Sequence, residues 1–381
     1  MNTPRRHTFK LLGLAIAMAT LGAPAGASER EDHDDDNSGL RAGKVFTSTN
    51  AAAGNELLVY AAGADGVLTL QTRLATLGTG TGTGLGNQGA VTLSGNGRHL
   101  FVVNAASHSV STFALKRSGI VLVSTVESGG LRPVSVTEHD GIVYVLNAAG
   151  AGNVSGFRNV RGTLVPIADS TRALSAASGT GVAQVGFNPD GDVLVVTEKA
   201  TDKLTSYRVR EGGQIGAPVV TASSGITPFG FAFDRRGTLL VSEAFGGAAG
   251  ASAVSSYAVG EGAAPALPRV ISASVADTQS AACWVVTTPN GRHAYVTNTG
   301  SGTISRYAIE RSGKITLAQA VAGTSGAGPI DAAIAPTGKR LFVLNSGSRT
   351  ISSFGVNRDG TLGAPSDVAG LPAGANGLAA N

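Results

Sequence analysis

Seven copies of one phrase run along this chain, and that repetition leaves few folds open to it. The clearest copy reads Tyr295-Val296-Thr297-Asn298, then Gly302-Thr303-Ile304-Ser305-Arg306-Tyr307. It is an apolar strand ending in a polar residue, a loop of small residues, and an alternating strand ending in an aromatic. Residues 101–104 with 110–113, 143–147 with 154–157, 194–198 with 204–207, 239–243 with 254–257 and 341–345 with 351–354 repeat it. A looser first copy covers 45–50 with 57–60. Turn signals bracket each copy. Asn96-Gly97, Asp140-Gly141, Pro189-Asp190-Gly191, Pro289-Asn290-Gly291 and Pro336-Thr337-Gly338 precede it, and Asp65-Gly66, Ser118-Gly119, Arg161-Gly162, Gly212-Gly213, Ser312-Gly313 and Asp359-Gly360 follow it. Such pairs make hairpins, because Gly accepts the positive φ that tight turns require.

Two turns and a connecting loop give four antiparallel strands per unit, named A to D from the inside outward. The polar residues that end strand B, from Asn50 to Asn345, recur about every 49 residues, close to the period of a propeller blade. The expected fold is therefore all-β: a seven-bladed β-propeller over residues 43–381. The first copy lacks a strand A, and residues 374–380 resemble the strand A at 328–334. The C-terminal strand is expected to complete blade 1, which closes the ring and removes an open sheet edge.

The first 27 residues read as a signal peptide. Arg5, Arg6 and Lys10 form a charged start, residues 11–21 are apolar, and Ala25-Gly26-Ala27 is a cleavage site of small residues. Residues 28–42 read as an acidic disordered linker. Asp32, Asp34 and Asp36 have the spacing that opens a calcium loop, but Gly43 stands where that loop needs Glu. An exported, periplasmic or extracellular protein follows. No later segment is apolar enough to span a bilayer. Loss of the signal takes the formal charge from +4 to +1 and leaves no basic cluster for nucleic acid. Cys283 is the only cysteine, so no internal disulfide forms. No metal set, phosphate loop or cofactor motif stands out, so no metal or cofactor is expected, and a monomer is expected.

Topology gathers the B–C and D–A loops on one face, the top, and the two turn families on the bottom. The strand-A position seven residues before the turn Gly reads Ala90, Val134, Gln184, Gly230, Trp284 and Asp331. Gln184, Trp284 and Asp331 thus place polar or aromatic groups at the rim, and Trp284 is the only tryptophan. Five blades end strand B in Asn, whereas blades 4 and 5 end it in Glu198 and Glu243. Either carboxylate is a candidate base. The structural alternative is a salt bridge to Arg132, Lys199 or Lys203. Arg132, at the top of blade 3, is the candidate for stabilising an oxyanion or gripping a substrate carboxylate. His108, in a top loop, is the one His placed for ligand contact. His99 and His293 share a repeat position and read as scaffold.

These repeats resemble the YVTN repeats of bacterial surface propellers, and the whole organisation resembles the seven-bladed lactonase family, which includes cyclic-type 6-phosphogluconolactonases and carboxymuconate cyclases. The resemblance covers residues 45–381. In that family a His-x-His pair precedes a Phe-x-Pro-Asp-Gly turn, and two acidic residues follow. Here the turn stands as Phe187-Asn188-Pro189-Asp190-Gly191 and the acidic residues as Glu198 and Asp202, which makes Asp202 a ligand-binding candidate. Gly181 and Ala183 occupy the His positions. The resemblance implies hydrolysis of a small cyclic ester at the top of the channel. The missing His pair leaves open a second reading, a non-catalytic propeller that binds a carbohydrate, peptide or envelope partner.

Overall fold

Hydroxyl and amide side chains at fixed intervals turn the repeated phrase into a clamp. The Asn that ends strand B donates from Nδ2 to hydroxyls five and seven residues on: Asn104 to Ser109 and Ser111, Asn298 to Thr303 and Ser305, Asn345 to Thr350 and Ser352, at 2.8–3.2 Å. These Asn residues are fully buried. Each therefore needs the partners that the phrase supplies at a set distance along the next strand. The aromatic that ends strand C packs between blades. Tyr307 is fully buried, and its hydroxyl donates to the Val275 carbonyl of the preceding blade at 2.9 Å.

The computed structural model describes residues 43–260 and 267–381. The signal peptide and acidic linker read from sequence, with the Asp32-Asp34-Asp36 spacing, lie outside the described residues. Seven sheets of antiparallel strands follow one another in chain order. Blade 4 is representative, with strand A at Val182–Phe187, B at Val193–Glu198, C at Lys203–Arg208 and D at Val219–Ala222. In blade 3 the outer position is shared by Thr163–Pro166 and Arg172–Ala173, both paired with Asn153–Val160. The chain loops out between them at Asp169, which has φ 55°, and Ser170 Oγ meets the Gly156 backbone there.

The ring closes as the sequence suggested. The C-terminal strand Asn376–Ala380 pairs antiparallel with Lys44–Ser48, Val45 facing Ala380 and Phe46 facing Ala379. Leu378 and Phe46 are buried by this closure, and the core is a set of apolar layers between adjacent blades. Among the described residues, no helix is long and apolar enough to cross a membrane.

Strand A carries a bulge near its start in blades 3, 4, 6 and 7, skipping one residue ahead of Ser135, Gln184, Trp284 and Asp331. An extra residue at that point re-aims the next side chain. Blade 3 differs from the sequence alignment by one position. Its turn has one residue fewer ahead of the Gly, so Ser135 rather than Val134 matches Gln184, Trp284 and Asp331. Ser135 Oγ accepts from the Val185 amide of the next blade at 3.2 Å.

Candidate functional site

The top mouth of the channel is crossed by the chain's own side chains. Trp284, on strand A of blade 6 (Ala282–Thr287), donates from its indole N–H to the Asn87 carbonyl at 2.7 Å. Gln88 reaches to the same strand, donating from Nε2 to the Val285 carbonyl at 3.1 Å and accepting from the Val285 amide at 3.3 Å. Trp284 is 3% exposed and Asn87 1%. The Gly-rich run 79–86 thus leads into a plug. Its last residue, Gly86, accepts a hydrogen bond from Lys199 Nζ.

Glu198 and Glu243 are fully buried in the slot that Asn fills in the other blades. Glu198 Oε1 accepts from the Ser175 amide at 3.0 Å and from Thr205 Oγ1, again seven residues on, at 2.6 Å. Its Oε2 takes the Ser175 hydroxyl and that of Thr201. Glu243 Oε1 accepts from the Gly225 amide at 2.8 Å and Ser255 Oγ at 2.5 Å, and Oε2 from Ser274 Oγ at 2.6 Å. Burial pushes the Glu243 carboxyl above the usual range, and the donors from Ser255, Ser274 and Gly225 pull against it. The ion pairs with Arg132, Lys199 or Lys203 weighed from sequence are not among those of the described residues. A carboxylate needs several donors when water is excluded, and here hydroxyls and amides supply them without a cation.

Lys199, directly after Glu198, enters the sequence reading only as a salt-bridge partner, and the structure gives it other neighbours. Its backbone amide bonds to the Gly181 carbonyl at 3.1 Å, so it stands beside the position where the family carries His. Its ammonium lies 4.3 Å over the Phe229 ring, which in turn packs 5.0 Å from Trp284. Burial pushes Lys199 down to about 8; Cys283 opposes this and the Arg132 guanidinium adds to it. Arg132 is exposed with φ 58°, and its amide donates to His108 Nδ1 at 3.0 Å. Arg132, His108 and Lys199 therefore share the rim between blades 2 and 4. Asp202, with φ 54°, accepts the Thr227 amide on Oδ1 at 2.6 Å.

Gln184 and Asp331 lie deeper, inside the channel. Gln184 clasps the Phe231 backbone of the next blade, donating to its carbonyl at 3.0 Å and accepting from its amide at 2.7 Å. Asp331 is 2% exposed, and its Oδ1 accepts the Ala332 amide at 2.8 Å. Both line a cavity of about 530 Å³ below the plug. Exposure rises along its wall from Asp331 to Ile334 and Pro189, so it opens at the bottom face, opposite the expected mouth. Among the described residues no group of three His, Cys, Asp or Glu side chains could hold a metal.

The family described as Lactonase, 7-bladed beta-propeller, matches residues 151–244 and 251–375, more than half of the chain. No curated protein matches. Solved structures share the fold at low identity. A protein from Lactobacillus plantarum superposes with a TM-score of 0.72 at 17% identity, over 90% of this chain and all (100%) of that one. The periplasmic gluconolactonase of Pseudomonas aeruginosa gives 0.69 at 20% identity, over 88% and 98%. A candidate 6-phosphogluconolactonase from Bacteroides uniformis ATCC 8492 gives 0.69 at 17%, over 88% and 98%.

Proposed function

This chain belongs to the seven-bladed β-propeller lactonase family, and on that premise we propose that it is an exported lactonase-like hydrolase of a small cyclic ester, working at the top rim that carries Lys199 and Arg132. The observation that carries the reading is Lys199 itself. A half-buried amine at about 8, next to the vacated His position at Gly181, has a free-base fraction near neutral pH that an ordinary lysine lacks. The basic and then apolar residues 1–27 support export.

In this reading neutral Lys199 takes a proton from water as the water oxygen attacks the lactone carbonyl. The carbonyl π electrons move onto oxygen, and the Arg132 guanidinium stabilises that oxyanion. Collapse of the tetrahedral intermediate breaks the ring C–O bond. The Lys199 ammonium returns the proton to the leaving alkoxide, and an open-chain hydroxy acid departs. His108 and Asp202 border the rim as ligand contacts. Glu198 and Glu243 hold the loops that carry the rim, because their oxygens already serve hydroxyl and amide donors.

The plug formed by Asn87, Gln88 and Trp284 supports a second reading, a non-catalytic propeller that binds a carbohydrate or peptide on its top face. A panel of lactones, assayed with the wild type and with Lys199→Met, separates the two.

A further inference from the structure

Each blade sends its A–B and C–D turns to the bottom face, and basic residues collect there. Along the sequence they stand singly or in pairs; the ring brings them onto one surface. Exposed arginines occupy the turns of blades 2 to 7 in order: Arg117, Arg161, Arg210, Arg235, Arg311 and Arg358. Among the described residues, none of these six side chains is held in a hydrogen bond or ion pair. Other arginines reach a turn carbonyl of the next blade: Arg158 that of Gly212 at 3.0 Å, Arg306 that of Asp359 and Arg340 that of Ala64 at 2.7 Å each. A carbonyl satisfies guanidinium N–H groups but leaves the charge unopposed. On this face exposed Lys and Arg outnumber exposed Asp and Glu by at least two to one among the described residues. Two of the acids, Asp65 and Asp359, are turned back onto their own turns, accepting the Val67 and Thr361 amides at 3.0 Å each. The top face has no such excess. Exposed Arg132 and Arg349 stand there against Glu127 and Asp367, Lys199, Lys203 and Asp202 are half-buried, and Arg73 pairs with Glu56 at 3.4 Å.

We propose that the bottom face docks on an anionic phospholipid bilayer, held by its arginines with no inserted segment. The cations run round the face from blade 2 to blade 7 rather than along one line. A plane of negative charge meets all of them at once, whereas a polymer strand meets only those on its track. No Phe, Tyr or Trp is among the exposed large side chains of the described residues, so nucleic-acid bases find nothing to stack on. Docking bottom-down leaves the top rim, with Lys199 and Arg132, facing the water. No rim residue takes part, so the proposal stands or falls independently of lactone hydrolysis.

Vesicle co-sedimentation tests this with the chain from Ser28 onward, which keeps the acidic residues 28–42 and omits the apolar residues 11–21. At low salt it is expected to bind phosphatidylcholine vesicles that carry about one third phosphatidylglycerol, and not vesicles of phosphatidylcholine alone. Binding should fall at least about ten-fold at about 0.5 M salt, where surface charges are screened. Two double variants strip charge from opposite sides of the ring: Arg98→Gln with Arg117→Gln in blade 2, and Arg311→Gln with Arg358→Gln in blades 6 and 7. Each pair is expected to weaken binding about ten-fold. The top-face pair Lys203→Gln with Arg349→Gln is expected to stay within about two-fold. Melting curves establish that all three fold. No binding to the anionic vesicles at low salt overturns the proposal, as does an equal loss from the top-face pair. A loss from only one of the two bottom pairs, or binding to DNA or heparin with none to vesicles, overturns it in favour of a linear polymer.

Discussion

Trp284 and Asn87 sit 197 positions apart in the chain and meet across the channel mouth, indole N–H to backbone carbonyl, at 2.7 Å. Both are buried, and Trp284 also packs on Phe229. Trp284→Phe keeps much of the ring contact and leaves the Asn87 carbonyl without this donor. A buried acceptor stripped of its partner costs about 1–3 kcal/mol. The urea midpoint, followed by circular dichroism because no other tryptophan exists, should fall accordingly with an unchanged slope. An unchanged midpoint would mean that the plug adds nothing to stability.

Closure of the ring predicts a second loss. Deleting residues 376–381 removes the partner of Lys44–Ser48 and uncovers Phe46. The melting temperature should drop by at least about 5 °C, several times the shift expected from 1 kcal/mol in a chain of this size. A deletion variant that melts with the wild type would contradict closure through the C-terminal strand.

Asp277 and Glu243 tie stability to pH. Burial pushes Asp277 up to about 6, and Glu243 upward as well. Between its ordinary pKa and its raised one, each group binds more proton in the folded state than in the unfolded state. Folding stability therefore falls as pH rises through that window, about pH 4 to 6 for Asp277. Asp277→Asn should remove part of the slope, up to about 1.4 kcal/mol per unit of pKa shift. Denaturation midpoints at pH 4, 5, 6 and 7 test this. Parallel curves for variant and wild type would show that Asp277 is not perturbed.

Glu198 predicts the opposite of a mere surface acid. Glu198→Ala strands four hydrogen bonds, including the Ser175 amide, and should cost about 2–4 kcal/mol. Thermal unfolding is the readout. A change below about 0.5 kcal/mol would show that the clamp at the end of strand B is not structural.

The blades and their closure were legible because each blade repeats a local pattern of turn glycines and an apolar strand B, and three of them add an Asn with hydroxyls five and seven residues on. The chemistry of the Asn-to-Glu changes was only half legible. Glu198 and Glu243 stood out by type, but their burial depends on Ser175 and Ser274, contributed by other segments. The plug was not legible, since nothing near Asn87 or Gln88 points to blade 6. Ser135 was missed because blade 3 has one residue fewer ahead of its turn Gly. Lys199 read only as a salt-bridge partner of Glu198 or Glu243, because its neighbours Gly181, Phe229 and Arg132 come from other segments.

The most direct measurement is the pH profile of lactone hydrolysis by the wild type, Lys199→Met and Glu198→Gln, with Arg132→Gln as the oxyanion control. For a base at about 8, kcat/KM should rise with pH and level off above about 8. Lys199→Met should lose about 100-fold and its dependence on pH in that range, and Arg132→Gln about 100-fold. Glu198→Gln should retain activity within a few-fold. No turnover of any lactone by the wild type, or a Lys199→Met variant as active as the wild type with the same profile, would contradict the account.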